Sequence, residues 1–426
     1  MKKYYIIVYL IIIIIAFILI GKNVIPTKVD IEYLEVVEII GMDATKDTVN
    51  VSVLLPKEAG GDKNEGNSAG SGGKALTVSS TTYSQAIDII RAITEKYIII
   101  NHVKYYIVGE ETAKNNLQPI VDYLARTDEA SVKAKVLVSE GMTAEAFLNE
   151  VNNSGIDIVK TLQEASLDVN AKNFTTETTI IDLVDSFLQD KIVGVIPYVS
   201  EFTGDINQFN INLTEAKQGE ENAKDSQPEQ SQGGNESKSE NQTKIFGFMT
   251  IGIIQDMKVV DKISLKEVEA YNMVMGNVDN IVVLIRPSDT EKIVVTCDTK
   301  EQSVKFKTKD NTIQEMIINL TYECDLDEVQ SNHKLLTIER FEEFQTMIEQ
   351  SVENEVRNIL NKSFEMGIDF MKLGNLFEIK HPYIYMKIKD GFLQKLKQAK
   401  ISVNIDCTIN NTFDVMETNK YQKGDG

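Results

Sequence analysis

Two pairs of carboxylates are the residues of this chain that could do acid–base chemistry. Asp325 and Asp327 stand two positions apart, and Glu342 and Glu343 are adjacent. A glycosidase needs one carboxyl group as proton donor and a second as base or nucleophile, so either pair could serve an anchored cell-wall hydrolase. The first pair follows a predicted strand, however, and the second lies on the charged face of a predicted helix. We therefore expect surface acids and no catalytic residues.

Metal-binding residues are sparse. The three histidines, His102, His333 and His381, are far apart in sequence and belong to no His-Glu-x-x-His motif. Asp43 and Asp47 could suggest a cation loop, but their spacing lacks the repeated oxygen ligands and the glycine of an EF-hand. We expect structural histidines, a turn between the two aspartates, and no bound metal.

A glycine-rich stretch ends at Gly72, Gly73 and Lys74, which invites comparison with a phosphate-binding loop. That loop needs a glycine five residues before its Gly-Lys pair and a Ser or Thr after the lysine. Those positions hold Ser68 and Ala75. The sequence therefore predicts no nucleotide site, and we expect no cofactor.

The chain has three cysteines, Cys297, Cys324 and Cys407, and none of them belongs to a Cys-x-x-Cys motif. One disulfide among them is possible, but the spacing does not select a pair. Each lies in or beside a run rich in Val, Ile and Thr. We expect them to be small apolar residues that fill the space between strands.

The charge balance limits the partners. The chain has 426 residues and a formal net charge of −20, from 64 acidic and 44 basic side chains. Such a charge argues against nucleic acid, or anionic lipid headgroups, as the main partner. The length leaves room for two or three domains.

The N-terminus carries an apolar run at residues 4–20, which contains no charged side chain. As a helix these 17 residues would span about 26 Å, enough to cross a bilayer. Lys2 and Lys3 precede the run, so the positive-inside rule places the rest of the chain outside the cytoplasm. The run ends at Gly21 and Lys22 without the small residues of a cleavage site. We expect a retained transmembrane anchor; a cleavable signal peptide is the alternative.

The elements that follow alternate in type. Residues 36–55 predict a hairpin, and residues 83–198 predict strands alternating with helices, which is typical of an α/β unit. Residues 219–243 are polar and predict disorder, either as a linker or as a hairpin insertion. Two strands over residues 245–260 and a helix from Ser264 to Met275 come next, and we expect these strands to pair with the first hairpin.

The C-terminal part predicts an antiparallel meander of four strands, at residues 281–285, 292–297, 303–307 and 313–322. A long amphipathic helix runs from Ile338 to Gly367, and an alternating strand covers residues 401–409. The expected fold is α+β, with several domains of small mixed sheets and packed helices behind one transmembrane helix. The expected domains are residues 1–26 (anchor), 27–60 with 244–280 (first sheet domain), 74–203 (inserted α/β domain), 204–243 (disordered acidic linker) and 281–417 (C-terminal domain).

Five blocks of sequence resemble the Ger(x)C family, the C subunits of bacterial spore germinant receptors. Residues 102–113 are similar to a His-containing strand of that family which ends in Gly-Glu-Glu. Residues 122–129 resemble its aspartate-led helix ending in Arg and then Glu, and residues 136–141 its valine-rich strand ending in Gly. Residues 39–43 are similar to its Gly-x-Asp block, and residues 368–374 to its Asp, apolar pair and Gly. Family members often carry Trp where Tyr385 and Phe392 stand, and they typically begin as lipoproteins.

The resemblance implies a non-catalytic subunit of a germinant receptor, held at the inner spore membrane and needed for nutrient-triggered germination. The implied partners are the membrane-embedded A and B subunits of that receptor. The anchor at residues 4–20 would then replace the lipid anchor usual in the family. A cell-wall hydrolase and an extracytoplasmic scaffold or adhesin are the alternatives.

Overall fold

The computed structural model describes residues 33–55, 74–167, 173–188, 193–203, 244–330 and 338–410. The predicted anchor, the glycine-rich stretch, the acidic segment 204–243 and His333 lie outside these ranges. Within them, no helix is both long enough and apolar enough to cross a membrane.

The larger sheet has eight strands in the order β10-β9-β8-β7-β6-β2-β3-β4, and β1 pairs with β5 in a separate two-stranded ladder. The strands are β1 (Leu34–Val36), β2 (Ile39–Ala44), β3 (Val49–Leu55), β4 (Lys74–Ser80), β5 (Tyr97–Ile99), β6 (Tyr105–Gly109), β7 (Lys135–Ser139), β8 (Val193–Thr203), β9 (Lys244–Gln255) and β10 (Lys258–Ile263). Strands β2, β6, β7 and β8 run parallel, while β3, β4, β9 and β10 run antiparallel to their neighbours. We call this the central sheet.

Helices cover both faces of the central sheet. They are α1 (Tyr83–Ile93), α2 (Glu110–Asn115), α3 (Gln118–Arg126), α4 (Ala144–Ser154), α5 (Ile158–Leu167), α6 (Ile180–Leu188) and α7 (Leu265–Met275). Strand β6 shows why: Tyr106 and Val108 face the core beneath α1, α3 and α6, whereas Tyr105 and Ile107 face the core beneath α4 and α5. A parallel strand buried on both faces needs an unbroken apolar sequence, which β6 has.

The C-terminal part forms a four-stranded sheet in the order β11-β12-β13-β14. Its elements are β11 (Asn280–Ser288), β12 (Glu291–Lys309), β13 (Thr312–Gln330), α8 (Ile338–Met366), α9 (Leu373–Lys380), α10 (Pro382–Ile388), α11 (Phe392–Gln398) and β14 (Lys400–Asn410). Strand β14 is parallel to β13, and the rest is antiparallel. Helix α8 buries Val352, Val356 and Ile359 in one core with β12 and β13. The α+β prediction, with mixed sheets and packed helices, is confirmed.

The predicted pairing of β9 and β10 with the first hairpin is wrong. The hairpin β2–β3 and the hairpin β9–β10 lie in the same sheet, but β6, β7 and β8 stand between them. Strand β9 pairs with β8, and Thr203 lies opposite Lys244 in that ladder. Residues 204–243 therefore join two paired strands, which favours the hairpin-insertion alternative over a linker. The domain boundaries themselves stay a prediction, since sharing a sheet does not show which parts fold alone.

The meander has three strands where four were predicted. One 19-residue strand, β12, contains both the second and the third candidate. Its register against β13 shifts between Thr299 and Glu301, so the ladder continues through the polar stretch that suggested a turn. The predicted helices are confirmed at α7, where Ser264 and Glu267 form a capping box, and at α8.

The cysteines differ from the prediction in part. Cys297 and Cys324 lie opposite each other on β12 and β13, with their Cα atoms 3.9 Å apart, and form a disulfide. The prediction that both are apolar fillers is therefore wrong, because register, which the spacing does not reveal, brings the two thiols together. Cys407 on β14 is a buried free thiol, as expected of such a filler.

Candidate functional site at the carboxyl edge of the central sheet and in the adjoining cleft

Three of the sequence blocks meet at one edge of the central sheet. Strands β2, β6 and β7 are parallel neighbours, so the ends of these strands lie side by side. Asp43 stands at the end of β2, Gly109 and Glu110 at the end of β6, and Glu140 directly after β7. We call this the carboxyl edge. Its acids come from segments far apart in the sequence.

Asp43 binds the N-terminus of helix α4. Its Oδ1 atom accepts a hydrogen bond from the backbone N–H of Ala144 at 3.1 Å, and its Oδ2 atom accepts one from that of Glu145 at 3.2 Å. Burial raises the pKa of the Asp43 carboxyl, and these hydrogen bonds offset only part of that effect. The predicted turn follows Asp43, with the backbone N–H of Thr45 donating to the carbonyl of Thr48 at 2.8 Å. Asp43 itself lies within β2 and not in the turn, and its carboxylate caps a helix about one hundred residues later in the chain.

Two glycines allow this contact. A β-carbon on Gly41 would lie 3.1 Å from Cβ of Ala144, so the glycine lets α4 approach β2 closely. A β-carbon on Gly109 would lie only 2.0 Å from Oδ1 of Asp43. Both glycines belong to the blocks quoted above, and both are needed to dock α4 on the sheet.

Glu110 is the centre of a charged network beside Asp43. Its Oε2 atom accepts a hydrogen bond from the backbone N–H of Gly141 at 2.6 Å, and its Oε1 atom lies 2.7 Å from Nζ of Lys262. The same ammonium lies 3.0 Å from Oε1 of Glu140 and 4.2 Å from the ring centroid of Tyr198. Burial alone would raise the pKa of Glu110, but the hydrogen bonds from Lys262 and Gly141 outweigh it and hold the pKa below its usual range. The network joins β10 to the ends of β6 and β7.

A cleft of about 670 Å³ lies where the central sheet meets the C-terminal part. Val193, Gln255 and Asp256 line it from β8 and the turn after β9, at the edge opposite the carboxyl edge. From the C-terminal part it is lined by Gly367, Ile368, Asp369, Lys372, Asn375, Glu378, Tyr385, Met386, Lys389, Asp390, Phe392 and Leu393. Clefts between packed units are common binding sites.

Asp369, in the wall of this cleft, binds the start of a helix in the same way that Asp43 does at the carboxyl edge. Its Oδ1 and Oδ2 atoms accept hydrogen bonds from the backbone N–H groups of Leu373 at 2.9 Å and Gly374 at 2.7 Å, at the start of α9. Lys372 has a positive φ of 52° and extends its ammonium to Oγ of Ser186 on α6, at 2.9 Å. Burial lowers the pKa of Lys372, although Asp182 and Asp185 oppose the shift. Lys372 therefore connects the C-terminal part to helix α6, which packs on the central sheet.

The acids considered for a hydrolase lie on exposed faces of β13 and α8. Oδ2 of Asp327 accepts a hydrogen bond from the hydroxyl group of Thr296, and Asp325 lies beside Asn410 of β14. Glu342 and Glu343 are exposed on α8. Among the described residues, no group of three or more His, Cys, Asp or Glu side chains could hold a metal ion.

The remaining candidates are two histidines and two charged residues near the end of α3. His102 is exposed in the turn before β6, and His381 lies between α9 and α10, with its ring centroid 5.0 Å from that of Phe377. Arg126 pairs with Asp122 of the same helix at 2.8 Å. Glu129 pairs instead with Arg91 of α1, at 2.6 Å. The ion pair of Arg126 could have been predicted from the sequence, because Asp122 stands four positions earlier on the same helix.

The fold and the site define an α+β protein in which buried charges hold helices and strands together. Residues 27–201 match the family model described as "Spore germination protein N-terminal domain", and residues 249–413 match "Spore germination B3/ GerAC like, C-terminal". The chain belongs to the Ger(x)C family of spore germination proteins.

Comparison with solved structures finds the GerBC protein, known from a crystal structure, at 14% sequence identity and a TM-score of 0.48. The match covers 87% of this chain and 97% of that one. No curated protein matches the chain in sequence.

Proposed function

We propose that this chain is a non-catalytic subunit of a spore germinant receptor at the inner spore membrane, needed for germination in response to nutrients. The observation that carries the proposal is membership of a spore germination family over both halves of the chain. The packing of Asp43, Gly109 and Glu110 supports it, because residues in the blocks that resemble the family hold helices and strands together. The proposed partners are the A and B subunits of the receptor.

The proposed attachment is the apolar run at residues 4–20, with the bulk of the chain outside the cytoplasm. Mass spectrometry of the protein from spore membranes tests this directly. A peptide containing residues 1–22 supports a retained anchor. A mature terminus beyond Gly21 contradicts it and supports a cleaved signal.

Deletion of the gene tests the receptor role. Spores without the protein should fail to lose refractility when nutrients are added, and an intact gene copy should restore the response. Membranes from the complemented spores, solubilised gently, should yield two polytopic subunits together with a tagged copy of this chain. Normal germination by the deletion strain with every nutrient tried would contradict the proposal. Copurification without a germination defect would support the scaffold alternative.

A further inference from the structure

Helix α10 has two apolar faces, and only one of them is buried. Ile384, Tyr385 and Ile388 face the core. Tyr383 and Met386 face outwards and are 81% and 67% exposed, and Ile379, near the end of α9, is 79% exposed. Single exposed apolar residues are ordinary, but three within eight positions form an unusual surface.

The inner faces of α9, α10 and α11 hold this surface in shape. The ring of Tyr385 lies 5.8 Å from that of Phe392 and 6.5 Å from that of Phe377, measured between centroids. Phe377 in turn packs edge-on against Phe306 of β12 at 5.1 Å. The outward residues therefore sit on rigidly packed helices.

Lysines are frequent in the segment that carries the exposed apolar residues. Residues 372–400 contain seven lysines against two acids, Glu378 and Asp390, in a chain whose formal net charge is −20. Lys387 follows Met386 on α10, and Lys395 and Lys397 are exposed on α11. These three lysines make no ion pair with any residue that the structure describes. Apolar side chains surrounded by lysines are the usual composition of a protein face that lies on an anionic membrane.

The position of this face also fits a membrane. Met386 and Val193 line the same cleft, and Val193 begins β8. Because β8 and β2 are parallel, the start of β8 lies at the same edge of the central sheet as the start of β2, which the chain enters from β1. These two strands are three positions apart in the sheet, or about 14 Å. Strand β2, the first strand of the central sheet after the proposed anchor, therefore begins at the edge of the sheet where this cleft lies. This step rests on the proposed attachment, whereas the exposure of the apolar residues and the charge of the lysines do not.

We propose that the outward face of α9, α10 and α11 binds the surface of a bilayer containing anionic phospholipids. Tyr383, Met386 and Ile379 enter the interface between headgroups and acyl chains, and Lys387, Lys395 and Lys397 contact phosphate groups. The overall negative charge of the chain disfavours such lipids elsewhere on its surface, so binding is confined to this face and orients the protein. The C-terminal part then has a membrane contact of its own.

The chain contains no tryptophan, so one introduced tryptophan reports on its own surroundings. The full-length Tyr383→Trp variant is reconstituted into phosphatidylcholine vesicles with and without phosphatidylglycerol, and lipids with brominated acyl chains serve as quenchers. We expect blue-shifted emission and strong quenching only with phosphatidylglycerol, weakening as salt is added. Leu167→Trp, at a residue 75% exposed on α5, is the matched control and should remain unquenched.

Charge reversal tests whether quenching requires the lysines, as lipid binding predicts, or only the exposed position of residue 383. In the Tyr383→Trp background, Lys387→Glu with Lys395→Glu and Lys397→Glu should abolish quenching while the midpoint of thermal unfolding stays the same. Each lysine near such a surface contributes about fivefold in partitioning, so three reversals should remove binding altogether. Absence of quenching in both kinds of vesicle, or equal quenching in both, overturns the proposal. Quenching or a blue shift that appears only after the receptor subunits are added also overturns it and identifies a protein-docking face. If Tyr383→Trp unfolds, Met386→Trp replaces it with the same expectations.

Discussion

A β-carbon on Gly109 would overlap the Oδ1 atom of Asp43, 2.0 Å away. Asp43 cannot retreat, because both its carboxylate oxygens are held by backbone N–H groups at the start of α4. Asp43 and Gly109 are 66 positions apart, yet each constrains the other. Asp43 accepts hydrogen bonds from a helix terminus, and the residue at position 109 must have no side chain to leave room for that carboxylate.

Gly109→Ala should destabilise the protein by about 1–3 kcal/mol, the usual cost of overpacking a buried site. Urea denaturation measures the change. Gly391→Ala is the control, since a β-carbon there would meet only the end of the Lys395 side chain, at 4.0 Å. In an Asp43→Ala background the cost of Gly109→Ala should shrink, because the overlapping oxygen is gone. Equal costs in both backgrounds would contradict the proposed overlap.

Lys262→Met should destabilise the protein at pH 7, because it leaves Glu110 and Glu140 without their shared cation. The pKa of Glu110 is lowered in the folded state, so the stability it supplies is present above its unfolded value and is lost as pH falls. The difference in unfolding free energy between wild type and variant should therefore be full at pH 7 and shrink below about pH 4.5. Lys114→Met, which removes an exposed partner of Glu110, is the control and should cost less. A difference independent of pH would count against the network.

Glu269→Gln should remove a pH dependence of stability. Burial, with Glu355 of α8 nearby, raises the pKa of Glu269 to about 8. The folded protein therefore holds a proton that the unfolded chain releases, and the unfolding free energy should fall by a few kcal/mol as pH rises from about 4.5 to 8. The glutamine variant should lose less stability across this range. Urea denaturation at pH 5 and pH 8.5 compares the two, with Glu342→Gln on the exposed face of α8 as control; parallel curves for wild type and Glu269→Gln would refute the assignment.

Removal of the disulfide by Cys297→Ala with Cys324→Ala should cost about 2–4 kcal/mol, mainly by freeing the unfolded chain. Because the bridge joins strands already paired in a hairpin, the lower part of that range is expected. Thermal unfolding with and without reductant measures the effect. Reductant should lower the midpoint of the wild type and leave that of the double variant unchanged. An equal response of both proteins would exclude the bridge.

Local signals in the sequence predicted individual elements well. Ser264 and Glu267 mark the start of α7, and Gly276, with φ of 74°, marks its end. The hairpin β2–β3 and the length of α8 follow equally from apolar periodicity. In each case the deciding interaction joins residues that are close in sequence.

Long-range contacts could not be predicted in this way. The role of Asp43 depends on where α4 begins, and the strand that neighbours β9 depends on the order of the whole sheet. The Cys297–Cys324 bridge depends on a register that includes a shift beyond Thr299. Periodicity reports which face of an element is apolar, and it contains no information on which distant element covers that face.

The pairing of Thr203 with Lys244 provides a practical site for labelling the protein. The chain leaves the central sheet at the end of β8 and re-enters it directly opposite, so sequence added between these residues displaces neither strand. This point lies at the carboxyl edge, away from the edge that β1 and the cleft occupy. A fluorescent protein inserted between residues 204 and 243 would therefore report the number and location of these molecules in living spores, while both ends of the chain stay native.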